Sequence, residues 1–167
     1  TITGGTFTGN YATNGYTGVI LVYGDTTISG GEFIQSLTTT GRWNHPQVIA
    51  TGVVEGYTAI TRVTGGHFVN KMSGEGIFRG IGKGTSDNFE VSGGTFNKSI
   101  SDGYFKEGYF AKKTNNGYEA DGPYAVRIGT TAGYATLGAA IEAINSGATT
   151  STTITLLQDL TESVVIS

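Results

Sequence analysis

Val91-Ser92-Gly93-Gly94-Thr95-Phe96 is written three more times in this chain: Ile2-Thr3-Gly4-Gly5-Thr6-Phe7, Ile28-Ser29-Gly30-Gly31-Glu32-Phe33 and Val63-Thr64-Gly65-Gly66-His67-Phe68. The pattern is a β-branched aliphatic, a small hydroxyl residue, two glycines, a variable residue and Phe. Its first glycines, Gly4, Gly30, Gly65 and Gly93, are 26, 35 and 28 residues apart. A period of roughly 20–50 residues marks a repeat architecture whose units bury their apolar faces against their neighbours. Within one copy the aliphatic residue and the Phe have opposite strand parity, so an unbroken strand cannot point both inward. A bend or bulge at the glycine pair resolves this, because glycine tolerates the backbone angles such a feature needs. The reading is strand, Gly-Gly corner, strand, stacked coil on coil with aliphatic and Phe ladders inside: an all-β solenoid, a parallel β-helix. Propeller blades need roughly 40–50 residues, more than the shorter intervals supply. An antiparallel sandwich would not require the same corner four times.

Composition fits that class. Glycine contributes 28 of 167 residues, far above the usual ~7%, yet no Gly-X-Y period exists and aromatic residues reach 11%, so neither collagen nor simple disorder is indicated. Charged residues are 14% against a typical ~25%; Thr, Ser and Asn take their place, as on extracellular repeat proteins. A net charge of −3 gives no reason to expect nucleic acid as a partner. With no cysteine, disulfides and thiolate metal sites are excluded. No apolar run reaches 18 residues, which argues against membrane insertion, and no signal-peptide pattern opens the sequence. The sequence starts at a strand pattern, Thr1-Ile2-Thr3, and stops at another, Val164-Val165-Ile166-Ser167. This predicts a piece of a longer chain whose targeting signals lie outside it.

Along the chain, Gly18–Tyr23 is a short buried strand bounded by Gly24-Asp25. The coil spanning 34–68 is the longest, and its excess falls in Ser36–Pro46, which includes Arg42-Trp43-Asn44-His45. Strand patterns resume at 47–50, 57–63 and 75–82, with a turn at 83–88. After Phe96 the repeat stops. Residues 101–108 read as a compact turn, and Asn116-Gly117 between 109–113 and 118–120 is a strong hairpin signal. Strands are expected at 124–128, 153–157 and 163–166. Leu137, Ala140, Ile141 and Ile144 make one helical stripe, with Thr136 as N-cap and Gly147 just past the C-terminus. Residues 1–122 are therefore expected to form the coils with a terminal hairpin. Residues 123–167 are expected to form a strand-helix-strand segment, the opening cap of a following β-helix module.

The Val91–Phe96 corner and the Tyr109–Ala120 hairpin resemble the repeats of large secreted or wall-attached proteins of anaerobic, gut-type bacteria, which are similar to the right-handed, pectin-lyase-like β-helix. Tyr134-Ala135-Thr136-Leu137, Ala140-Ile141 and Ile154–Leu160 resemble the helix and first strands that open such a module. The resemblance implies fold more than function, because that fold carries lyases, glycosidases, adhesins and inert stalks.

Candidate chemistry is sparse. A glycosidase needs two carboxylates facing one sugar, but the acidic residues are scattered and no paired acidic motif occurs. Glu32 and His67 share the variable corner position one coil apart and are expected as stacked neighbours, which is more often a solvated pair than acid–base machinery. Two histidines do not point to a metal site, no cofactor motif is present, and Gly80-Ile81-Gly82-Lys83-Gly84 reads as a turn rather than a phosphate cradle because no helix pattern follows. The sharpest local feature is Arg42-Trp43-Asn44-His45, an aromatic beside guanidinium and amide groups, the composition of a sugar-binding platform. The alternative is that Trp43 covers the coil. The expected function is a non-catalytic structural or adhesin module of a secreted or surface-anchored bacterial protein, extracellular or at the cell surface. Its expected partners are a glycan or a host surface protein, with self-association through the ends of the stack. A polysaccharide lyase or glycoside hydrolase fragment is the alternative.

Overall fold

The computed structural model describes residues 1–9, 18–37 and 47–164. In chain order the strands are β1 (Thr6–Gly9), β2 (Ile20–Val22), β3 (Thr26–Ile28), β4 (Glu32–Gln35), β5 (Ile49–Val53), β6 (Thr61–Asn70), β7 (Phe78–Gly82) and β8 (Phe89–Phe96). They are followed by β9 (Phe110–Thr114), β10 (Gly117–Asp121), β11 (Val126–Ile128), β12 (Ala132–Tyr134), helix α1 (Leu137–Asn145) and β13 (Ile154–Leu156). Single 3₁₀ turns occupy Ser86–Asn88 and Asp102–Tyr104.

The four repeats lie side by side, parallel and in register. Thr6 pairs with Glu32, Glu32 with His67 and His67 with Thr95, while Phe7, Phe33, Phe68 and Phe96 form the adjoining row. The Phe rings stack at centroid separations of 5.0, 4.9 and 5.4 Å, and the last three are fully buried. Ile28, Val63 and Val91 make a second buried row.

The glycine pair has two separate causes. The second glycine of each copy sits at φ between 99° and 107° (Gly5, Gly31, Gly66, Gly94), a conformation that L side chains rarely adopt. The first is needed for space: a Cβ on Gly30, Gly65 or Gly93 would lie 2.4, 2.4 or 2.1 Å from the carbonyl oxygen of Thr3, Ser29 or Thr64 in the preceding repeat.

The expectation of an all-β solenoid, a right-handed parallel β-helix, is corrected. The strands form three open sheets, and among the described residues there is neither a solenoid nor a closed barrel. The largest sheet has seven strands and is mixed, with order β1-β4-β6-β8-β10-β9 and β3 also on β6. Its last two strands are antiparallel to each other, and β10 is antiparallel to β8. A parallel sheet, β2-β5-β7, and an antiparallel one, β12-β11-β13, complete the fold, and α1 packs on the latter. The physical reason lies in the glycine pair. In β6 and β8 it makes a bulge within one continuous strand, with register shifts around Thr64, rather than a corner between two sheets. Both halves of the repeat therefore stay in one sheet. After Phe96 the chain runs through β9 and reverses at Asn115-Asn116, so β10 arrives antiparallel to β8.

Two apolar cores result. Ile49 and Phe78, from the smaller parallel sheet, join the aliphatic and Phe rows. Phe78 meets Phe68 and Phe96 edge-on at 5.7 and 5.8 Å. The buried hydroxyls of Thr51 and Thr61, 2.6 Å apart, satisfy each other across the two sheets. Beneath α1, Ala140 packs with Ala125, Val126 and Ile128. Thr136 caps the helix by accepting from Ala139 N–H, and Gly147 follows it at φ 72°.

Candidate functional site

The predicted platform Arg42, Trp43, Asn44 and His45 lies outside the described residues. The chain re-enters the described structure at Gln47, and Gln47 lines a cleft of about 360 Å³. Its other walls come from β7 (Phe78, Arg79) and from the segment leading into the second 3₁₀ turn (Ser99, Ser101, Tyr104), with Ile77 and Ile100 also facing it.

Each wall is held by identifiable contacts. Ile100 is 6% exposed and belongs to the core. Lys98 Nζ donates to the Met72 and Glu75 carbonyls, tying the start of the segment to the loop before β7. The turn itself is clamped from both ends: Asp102 pairs with Arg127 of β11 at 2.7 Å, and Lys106 N–H donates to Val91 O of β8. Tyr104 stands edge-on to Phe89 at 5.2 Å and tilted to Phe78 at 5.9 Å.

The polar chemistry of the cleft has a defined orientation. Gln47 is 5% exposed, and its Nε2 donates to Glu75 Oε2. A carboxylate only accepts, so the amide cannot turn over. Its Oε1 is then left buried with no donor among the described residues, a state that costs roughly 1–3 kcal/mol. Burial pushes the Tyr104 phenol above its ordinary pKa, and the charge of Arg79 partly offsets this. Tyr104 is thus a neutral hydroxyl at physiological pH, able to donate and accept. The cleft combines an oriented amide, a phenol, two serine hydroxyls, a guanidinium and aromatic rings.

Glu32 and His67 are in register neighbours, as their shared corner position predicts. His67 Nδ1, however, is 2.8 Å from Thr95 Oγ1, so its hydrogen bond runs along the ladder to the following repeat. The turn reading of Gly80–Gly84 holds only for its end: Gly80, Ile81 and Gly82 are the last residues of β7, paired with Thr51, Gly52 and Val53, and the chain turns after them, with Gly84 N–H donating to Ile81 O. A Cβ on Gly80 would lie 2.3 Å from the Gly84 backbone. Among the described residues no three His, Asp or Glu side chains converge as a metal site, and no helix is long and apolar enough to cross a membrane. A larger hollow, about 500 Å³, lies against α1 beside Ile141, Glu142 and Val164, but it gathers less polar chemistry than the Tyr104 cleft.

Sequence reasoning does not find the cleft, because Gln47, Arg79 and Tyr104 come from three separated segments. The one local signal is an aromatic residue in a polar turn, Ser101-Asp102-Gly103-Tyr104. No family model, curated protein or solved structure matches this chain.

Proposed function

We propose that the chain is a non-catalytic binding module of a secreted or surface-anchored bacterial protein: a rigid repeat scaffold, structural or adhesive, that holds a carbohydrate. The observation that carries the reading is the cleft beside Tyr104. Its volume is at the small end of ligand pockets, about 300–1,000 Å³, with room for a single sugar ring. The buried Gln47 Oε1 calls for a hydroxyl donor, Ser99, Ser101 and Tyr104 add hydroxyl partners, and an aromatic wall suits the C–H face of a sugar. The scaffold supports a structural role, because its polar side chains bond along the ladder to the next repeat: Arg62 to Glu90, His67 to Thr95 and Asn97 to Asn70.

The test is glycan-array binding of the wild type and Tyr104→Phe, with melting curves for both. Binding that falls at least tenfold in the variant, at an unchanged melting temperature, supports the reading. Equal binding by both proteins, or by neither, removes the cleft as a site. Release of reducing ends or unsaturated sugars from pectin, polygalacturonate or a host glycan would overturn the non-catalytic assignment.

A further inference from the structure

Three asparagines of the repeat region have their side-chain amides locked. Asn70 donates to Gly76 O and accepts from Met72 N–H. Asn88 donates to Ala59 O and accepts from Thr85 N–H. Asn97 donates to Asn70 O and accepts from Asn70 N–H. Asn116 is the opposite case. It is exposed, as is Asn115, in the turn between the paired residues Thr114 and Gly117. Its main-chain N–H donates to Thr114 Oγ1 at 3.3 Å, and among the described residues no hydrogen bond holds its side-chain amide. The residue that follows it is Gly117, at φ 135°, with no Cβ to shield its peptide nitrogen. Asn145 is exposed as well, but it belongs to helix α1 and is followed by Ser146.

We propose that Asn116 is a site of spontaneous covalent modification, where the side-chain amide is lost through a cyclic imide formed with the Gly117 peptide nitrogen. The Gly117 nitrogen attacks Asn116 Cγ and gives up its proton. The new N–Cγ bond closes a five-membered ring, the Cγ–Nδ2 bond breaks, and ammonia leaves with that proton. Water then opens the ring. Cleavage at Cγ gives aspartate, and cleavage at the main-chain carbonyl carbon gives an isoaspartyl link, in which the backbone runs through the side chain and is one carbon longer. Nothing is oxidised or reduced, and water is the only co-reactant. The hairpin makes the longer link matter. A Cβ on Gly117 would lie 2.3 Å from Phe96 O, so the end of the turn is seated tightly on β8. The next residues, Tyr118 and Glu119, pair with Phe96 and Thr95. A longer link cannot keep both the Thr114–Gly117 register and that seat. Conversion to isoaspartate therefore loosens the place where β10 joins the parallel repeats, independently of the Tyr104 cleft and of any ligand.

The test incubates the folded protein at mildly alkaline pH and follows each asparagine by peptide mapping with mass spectrometry, with isoaspartate detected by an isoaspartyl methyltransferase. Asn116 is expected to convert about tenfold faster than Asn115, a barrier difference of about 1.4 kcal/mol, with isoaspartate as the larger product. Amide exchange of the converted protein is expected to quicken at residues 117–119. Asn116→Gln would need a larger ring, so it should keep its amide and the exchange pattern of fresh wild type through the same incubation. Equal rates at Asn115 and Asn116 overturn the proposal. So does an Asn116 that stays intact in the folded protein while it converts in urea, because the fold then blocks the attack. Isoaspartate in the hairpin peptide of Asn116→Gln, or conversion that leaves exchange at 117–119 unchanged, overturns it equally.

Discussion

Adding one methyl group at Gly93 or at Gly4 separates the two reasons for the glycine pair. In Gly93→Ala the new Cβ is 2.1 Å from Thr64 O, 2.5 Å from Thr64 C and 3.2 Å from Gly65 N. All three are backbone, so no side chain can swing aside. Reaching ordinary contact requires β6 and β8 to part locally by about 1 Å, which stretches ladder hydrogen bonds of ~2.9 Å beyond useful length. Two such bonds at roughly 0.5–1.5 kcal/mol each agree with the general cost of overpacking, about 1–3 kcal/mol. The smaller conformational freedom of the unfolded alanine chain returns about 0.4–1 kcal/mol. The net expectation is a loss of roughly 1.3 kcal/mol, which lowers the melting temperature by about 3–5 °C for a chain of this size. Gly4→Ala, where a Cβ would meet nothing within 4 Å, carries only the unfolded-chain effect and should stay within about 1 kcal/mol of the wild type. Urea and thermal unfolding of both variants measure the difference. Equal stabilities would refute the account, because they would mean that the approach of neighbouring repeats does not demand the first glycine.

Three further outcomes are expected. Phe68→Ala, in the middle of the buried ring stack, should cost about 3–5 kcal/mol, and Phe7→Ala, where the ring is half-buried, roughly 1–2 kcal/mol; denaturant midpoints compare them. The raised pKa of Tyr104 means that its neutral form is favoured in the folded state. Its contribution is therefore fully present below the unfolded value of about 10 and is lost as pH rises through the higher folded value. Wild type should lose more stability than Tyr104→Phe between pH 9 and about pH 11, as read by urea midpoints at each pH. Arg127→Met removes the 2.7 Å pair with Asp102 and the guanidinium 5.6 Å above the Phe110 ring. It should destabilise by roughly 1–3 kcal/mol and loosen the turn that carries Tyr104, seen as faster amide exchange at residues 101–105.

The parts of the fold legible in the sequence are those written locally or periodically. Four matching hexapeptides place Glu32, His67 and Thr95 in one row. Asn116-Gly117 announces the β9–β10 hairpin, and the stripe Leu137, Ala140, Ile144 with its Thr136 cap announces α1. What the pattern leaves open is whether a glycine pair turns the strand into a second sheet or bulges it within one, since both uses need the same backbone freedom. β12 has no sequence signal: Ala132-Gly133-Tyr134 pairs with β11 where the Tyr124 ring lies against Gly133, 2.2 Å from the site of a Cβ. The site was less legible still. Arg42–His45, the segment singled out by composition, lies outside the described residues, and the Tyr104 cleft exists only once Gln47, Arg79 and the 99–104 segment converge.

The β9–β10 hairpin gives the large sheet a direction. At one end β10 occupies the free side of β8, and beyond it Lys113 N–H of β9 is already donated to Thr130 O. A row of repeats that ends on a reversed hairpin, with an outward amide already donated, no longer presents on that side the parallel edge that its own pattern would extend, and such an end is poorly suited to the edge-to-edge pairing by which repeated strands become fibres.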